Sequence, residues 1–282
     1  MISGIQIKQA VEADNLLRLA GSVGWNQTYS DCAEMVNRPD AVCFYAMHGS
    51  DVIGSAAAKL YGDHEIAFIN MVVVMEEFRG HGIATQMLRT LMDYLRDWKT
   101  LRLYATCAGS RVYSKLGFST YAIMHKYFSP LYRAPVPESV IPLQEKDLEE
   151  AIALDAKSFG VERGSILRYF YHQSPQISFR LNRPDGSMNG FVIGRQGPVS
   201  RQASALTADT EEDAFDLFAA VAQAGVPAQK TLLIIPEART RMVDMALYRG
   251  LECGTTLICM DYGRPGPKPG VRYFGMLGGD FG

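Results

Sequence analysis

Along the first 128 residues the apolar positions switch repeatedly between two periods. Alternation and short apolar runs predict strands over 5–11, 42–48, 52–61, 65–75, 101–107 and 119–128, and i, i+3, i+4 spacing predicts helices over 14–23, 30–37, 83–98 and 110–116. In the third helix Met87, Leu88, Leu91, Met92 and Leu95 form one apolar stripe, the pattern of a core-facing helix. The opening of this pattern recurs. Ile5 to Val11 followed by Asp14 and an apolar-periodic helix through Leu16, Leu17, Leu19 and Ala20 is matched by Val140 to Leu143, Asp147 and a helix through Leu148, Ile152 and Leu154. Gly117-Phe118 and Gly250-Leu251 each stand 103 residues after their aspartate, so the chain reads as one α/β unit used twice at an offset of 133. Four of the 13 prolines fall between Ser129 and Pro142, which predicts an extended linker over 129–139 between domains at 1–128 and 140–282.

Composition adds limits. A chain of 282 residues, 48% hydrophobic and 21% charged, has room for two globular cores. Basic residues number 28 against 30 acidic ones, for a net charge of −2, and they are scattered, which argues against nucleic acid as a partner. No apolar run approaches the roughly 18 residues of a membrane span. The segment Met1–Lys8 lacks a basic start and a long apolar stretch, so no secretory signal and a cytoplasmic location are expected. The five cysteines, at 32, 43, 107, 253 and 259, contain no C-x-x-C pair; they are expected to be reduced core residues, with no metal site.

The chemistry is concentrated where the strand at 65–75 runs into the third helix, through Arg79-Gly80-His81-Gly82-Ile83-Ala84-Thr85. Glycines at 80 and 82 let the backbone come close to a ligand, and the free N–H groups of a first helical turn favour an anion. Downstream, Tyr113-Ser114-Lys115-Leu116-Gly117-Phe118 reads as a short helix closed by a glycine and passing into a strand. Together the two segments resemble the GNAT superfamily of acyl-CoA-dependent N-acetyltransferases, in which Arg/Gln-x-x-Gly-x-Gly/Ala binds the coenzyme A pyrophosphate and a Tyr-x-Lys-x-Gly-Phe segment supplies the catalytic tyrosine. Thr106 and Gly109 stand where the family often has Asn and Ala.

The resemblance implies an α/β (α+β) chain of tandem GNAT folds, each a mixed, mostly antiparallel central sheet flanked by helices. It implies acetyl-CoA as acyl donor, held by the loop from Arg79 to Thr85 and by the backbone of Val72, Val73 and Val74. Tyr113 is the implied acid that protonates the coenzyme A thiolate. A carboxylate on the strand before the loop is the usual base, and Glu65, with His64 beside it, is the candidate. Gly24-Trp25-Asn26-Gln27-Thr28-Tyr29 resembles a run in some two-domain bacterial members, with Trp25, Asn26 and Tyr29 as candidate acceptor-binding residues; Trp25 equally suits a core anchor. Cys107 lies near Tyr113 but has no histidine close in sequence to activate it, so direct transfer is preferred over an acyl-enzyme.

At the offset of 133, Arg79–Gly82 fall opposite Glu212-Asp213-Ala214-Phe215 and Tyr113 falls opposite Ala246, so the second unit is expected to have lost the coenzyme chemistry. Tyr248, two positions away, reads as packing or surface. The run from Pro265 to Phe281 is expected as an extended arm. The expected function is acetyl transfer to a primary amine of a small molecule. A non-catalytic acyl-CoA sensor and an acetyltransferase of protein amino groups remain open alternatives.

Overall fold

The structure is a computed structural model that describes residues 4–129, 134–224 and 229–282. It divides into two compact units, and the division is not sequential. The first holds Met1–Ser119 with Met260–Gly266 and Phe281; the second holds Thr120–Cys259, Pro267–Asp280 and Gly282.

In the first unit, β1 (Ile5–Gln9), β2 (Ala41–His48), β3 (Asp51–Tyr61) and β4 (Ile66–Val74) form an antiparallel run, and β5 (Thr100–Ala105) joins β4 in parallel. The parallel register extends only from Ile66↔Thr100 to Ile69↔Leu103. The helices cover this sheet as the spacing predicted. In α1 (Ala13–Ser22), Leu16, Leu19 and Ala20 are fully buried, and in α3 (Ile83–Tyr94) Met87, Leu88 and Leu91 are. Between them, α2 (Tyr29–Val36) starts at a capping box, with the Asp31 N–H donating to Thr28 Oγ1 (3.2 Å) and the Thr28 N–H to Asp31 Oδ2 (2.8 Å). Two helix boundaries differ from expectation. The third helix stops at Tyr94, and Trp98 turns away to stack on His64 at 4.9 Å. The fourth, α4 (Cys107–Lys115), begins three residues early because Thr106 caps it, its Oγ1 accepting the Gly109 N–H.

The second unit repeats the plan. Its sheet runs β7 (Val140–Pro142), β8 (Phe179–Asn182), β9 (Met188–Gln196), β10 (Arg201–Thr207), β11 (Thr231–Pro236) and β6 (Ser119–Ser129), with α5 (Leu148–Phe159), α6 (Gly164–Gln173), α7 (Glu211–Ala224) and α8 (Thr240–Tyr248). Asp147 stands at the start of α5 as expected. The core gathers Val192, Leu206, Phe215, Phe218, Leu233 and Phe274.

The expected boundaries at 128 and 140 are therefore not those of the compact units. The strand β6 pairs with β11, from Met124↔Pro236 to Ser129↔Thr231, so most of it belongs to the second unit, and Ser129 is strand rather than linker. Residues 130–133 of the expected linker lie outside the described residues. Reciprocally, the end of β12 (Glu252–Gly263) belongs to the first unit, where a buried ion pair anchors it. Arg102 on β5, with its side chain fully buried, donates from Nε to Asp261 Oδ1 and from a terminal nitrogen to Asp261 Oδ2, both at 2.8 Å.

Removing that carboxylate leaves a buried guanidinium without its bidentate partner. Asp261→Ala is expected to cost about 3–5 kcal/mol, read as a lower denaturant midpoint of the full chain; an unchanged midpoint contradicts the anchoring role.

Candidate active site

The site begins with a break in β4. Register with β3 passes from Ala57↔Asn70 to Ser55↔Val73, so Met71 and Val72 stand opposite the single residue Ala56, a β-bulge. Met71 is held at a φ of 48°, in the left-handed region, and its carbonyl accepts the buried Ser55 hydroxyl at 2.6 Å. The bulge turns the strand just beyond the last β4–β5 pair, Ile69↔Leu103. Val72, Val73 and Val74 thus lie on the part of β4 that has left β5, with Val72 half-buried and the next two buried.

Beyond Val74, eight residues lead to α3. Arg79 holds this loop to the strand, its Nε donating to the Val74 carbonyl at 3.0 Å. Gly80 and Gly82 both have φ near +80°, and Gly82 is the N-cap of α3. A residue without a side-chain acceptor in that place leaves the first-turn N–H groups of Ile83, Ala84 and Thr85 to an external ligand. No acidic side chain stands in this turn. His81 and the two glycines are exposed. Such an arrangement binds anions.

The tyrosine of the second motif lies on α4. Gly109, one turn earlier, makes room for it: a Cβ there would come within 3.3 Å of both the Tyr113 ring and Thr106 Oγ1. Thr106 and Gly109, which depart from the family pattern, thus work together as cap and clearance. After Lys115 the chain reverses through Gly117, at a φ of +95°, and the Phe118 N–H donates to the Tyr113 carbonyl at 3.1 Å. The Phe118 ring is buried and meets Tyr113 edge-on at 5.9 Å. Burial pushes the Tyr113 phenol up from its ordinary value, so the group holds its proton through neutral and moderately alkaline pH.

Other expected site residues are dispersed. Trp25 and Asn26 are half-buried in the α1–α2 connection, and Tyr29 is half-exposed at the first position of α2. Glu65 sits in the turn before β4, at the end where β4 and β5 are paired, and its carboxylate is engaged by Lys99. Seven residue steps, at most about 23 Å of strand, separate it from Val72. His64 is in the same turn. Cys107 and Cys253 are exposed, whereas Cys32, Cys43 and Cys259 are buried, so only three of the five are core residues. Tyr248 is 93% exposed, a surface residue. Among the described residues no His, Cys, Asp or Glu group is placed to hold a metal ion, and no helix is long and apolar enough to cross a membrane.

In the second unit the same backbone has a different interior. A bulge recurs in β10, where Ala205 and Leu206 stand opposite Val192 and Ala205 has a φ of 46°. It lies 134 residues after Met71, one from the expected offset. Beyond it, however, the connection to α7 is three residues rather than eight. The ungapped register that set Arg79–Gly82 against Glu212–Phe215 is therefore corrected: the loop is shortened by five residues, and Thr210 takes the place of Gly82. Thr210 Oγ1 accepts the Asp213 N–H at 3.1 Å, and Glu211, Glu212 and Asp213 fill the first turn. The gap between β10 and β11 is also filled. These strands pair only at Arg201↔Thr231 and Gln202↔Leu232, and β13 (Tyr273–Gly275) pairs with Leu206 and Thr207 in the space beyond. Gly275 passes so close that a Cβ there would lie 2.9 Å from Leu206 and 3.3 Å from Leu233. Of the expected extended arm, this piece is a strand within the second sheet. Ala246, the counterpart of Tyr113, is fully buried on α8.

Comparison with known proteins agrees with this geometry. Residues 11–118 match the acetyltransferase (GNAT) family model, and residues 151–275 match a second model, an acetyltransferase (GNAT) domain. The uncharacterized N-acetyltransferase YitH of Bacillus subtilis is 23% identical over 241 residues, spanning 84% of this chain and 83% of the relative. A protein from Pyrococcus horikoshii, described as a candidate acetyltransferase, superposes with a TM-score of 0.82 at 19% identity, covering 100% of this chain and 97% of that one. A tandem GNAT protein from the clavulanic acid biosynthesis pathway superposes with a TM-score of 0.65 at 12% identity, covering 93% and 100%. The chain belongs to the GNAT family and is an N-acetyltransferase built from two GNAT domains.

Proposed function

We propose that the first unit alone carries out the transfer, from acetyl-CoA to a primary amine of a small molecule, by direct attack of the bound amine on the thioester. The observation that carries this reading is the contrast between the units: an open strand gap leading to a glycine loop in one, a filled gap leading to an acidic, self-capped helix in the other. The coenzyme supplies the activated acyl group. The N–H groups from Gly80 to Thr85 hold its pyrophosphate, and Arg79 keeps the loop in place through Val74. Backbone groups of Val72, Val73 and Val74, released from β5, receive the pantetheine arm and stabilise charge on the thioester oxygen. As the C–S bond breaks Tyr113 gives its proton to the leaving thiolate, and the proton lost by the acylated amine passes through water and restores the phenol. Trp25, Asn26 and Tyr29 contribute to acceptor binding. Glu65 is left out of the machinery, because Lys99 engages it at the far end of β4.

Gly82→Ala places a side chain on a left-handed N-cap that faces the ligand, a conformation costing about 1–2 kcal/mol. Acetyl-CoA affinity is expected to fall on the order of tenfold or more, measured as a KM or Kd, beside a melting temperature lowered by only a few degrees; wild-type affinity contradicts the loop assignment.

Tyr113→Phe is expected to lower kcat by about a hundredfold or more and to leave the KM for acetyl-CoA near its wild-type value. The sign of the pH dependence follows from the raised phenol. Because the acid form persists above the ordinary value of about 10, wild-type kcat is not expected to fall between pH 7 and about 9.5 through this group, and the Phe variant is lower by a constant factor across that range. A wild-type alkaline limb inside that window that vanishes in Tyr113→Phe contradicts the assignment.

A further inference from the structure

We infer that Tyr262, near the far end of the chain, is a positioning residue for Tyr113. The inference rests on the assignment of Tyr113 as proton donor and adds to it a residue that neither GNAT motif contains. Within the first unit the Tyr262 ring lies 5.4 Å from the Phe118 ring, and Phe118 in turn meets Tyr113 edge-on at 5.9 Å. Tyr262 also backs the turn that reverses the chain after α4. A Cβ on Gly117 would come within 3.2 Å of its Cε2 atom, so ring and turn are already in close contact.

The backbone around Tyr262 is fixed on both sides. Asp261 is held by the buried Arg102 at 2.8 Å, and the Gly266 N–H donates to the same carboxylate at 3.1 Å. Gly263 passes so close to the Lys99 carbonyl that a Cβ would fall 2.7 Å from it, the Arg264 N–H donates to that carbonyl at 2.9 Å, and Thr100 Oγ1 donates to the Arg264 carbonyl at 2.7 Å. Tyr262 itself is 40% exposed, with its backbone held on both sides. The ring is therefore a fixed wall against Gly117 and Phe118. Those two residues carry the Tyr113 ring through an aromatic contact and the Phe118 N–H to Tyr113 carbonyl bond. Without the wall, the turn relaxes outward and the phenol leaves its line to the thiolate, where a displacement of about 1 Å costs on the order of a hundredfold in rate.

The test is a double-mutant cycle on the full chain, reading thiol release from acetyl-CoA with a panel of polyamines, amino acids and amino sugars, and with water alone as acceptor. Tyr262→Ala is expected to lower kcat by about ten- to a hundredfold at an unchanged KM for acetyl-CoA, and Tyr262→Phe restores it, since the ring and not the hydroxyl makes the contacts. In a Tyr113→Phe background Tyr262→Ala is expected to have no further effect, because the group it positions is gone. Tyr262→Leu, which keeps apolar bulk, serves if the Ala variant does not fold. With 3-fluorotyrosine incorporated, the fluorine resonance lost in Tyr113→Phe is expected to shift in Tyr262→Ala and Tyr262→Leu but not in Tyr262→Phe. An impaired Tyr113→Phe beside a fully active Tyr262→Ala overturns the inference alone, as does an equal loss from Tyr262→Ala in both backgrounds. A fully active Tyr113→Phe overturns the proton-donor assignment and the inference with it.

Discussion

One residue held at positive φ in the middle of a strand decides where the first sheet comes apart. Met71 sits in a conformation that costs a non-glycine residue about 1–3 kcal/mol, and the buried Ser55 hydroxyl on its carbonyl helps to hold it there. Up to Ile69 the strand pairs with β5; from the bulge onward it turns away and aims its last residues at the glycine loop. The strand opening follows from that register shift, and beyond it Arg79 ties the loop back to Val74 ahead of an α3 start that has no side-chain cap. The chemistry proposed for the site uses backbone groups more than side chains, which is why a run of valines serves it.

The second unit carries the same backbone device without the glycine loop. It has its own bulge, at Ala205, and its own opening between β10 and β11, yet it differs from the first unit in three ways. The connecting loop is short, Thr210 caps the helix from within, and β13 occupies the gap. Carboxylates in the first turn of α7 reinforce this by repelling a pyrophosphate. The acids there are engaged locally: Glu212 with Arg241, Asp213 with Asn189. This supports a second unit that keeps the fold while the reaction is confined to the first.

Much of this was legible in the amino-acid sequence, and the remainder was hidden for physical reasons. Periodicity located α1 and α3 because each buries a stripe, as Leu16, Leu19 and Ala20 do in α1, whereas α4 has no buried residue. The matched spacing of Asp14 with Gly117 and of Asp147 with Gly250 reflected a real internal repeat, and both glycines adopt positive φ. Strand partnership was not legible, because pairing is non-local: nothing in the run around Asp261 or around Met124 says that the first belongs with Arg102 and the second with Pro236. An ungapped offset likewise concealed the shortened loop before α7. Met71 gave no signal, since methionine is not a residue associated with left-handed backbone. Glu65 is a carboxylate near the motif in sequence, but extension along β4 carries it away from the bulge.

The contrast between the units implies one coenzyme site per chain, in the first unit. Calorimetric titration of acetyl-CoA into the full-length protein tests it most directly. One site per chain is expected, lost or greatly weakened when the Gly80–Gly82 loop is altered. Two sites per chain, or a single site indifferent to that loop, would contradict it.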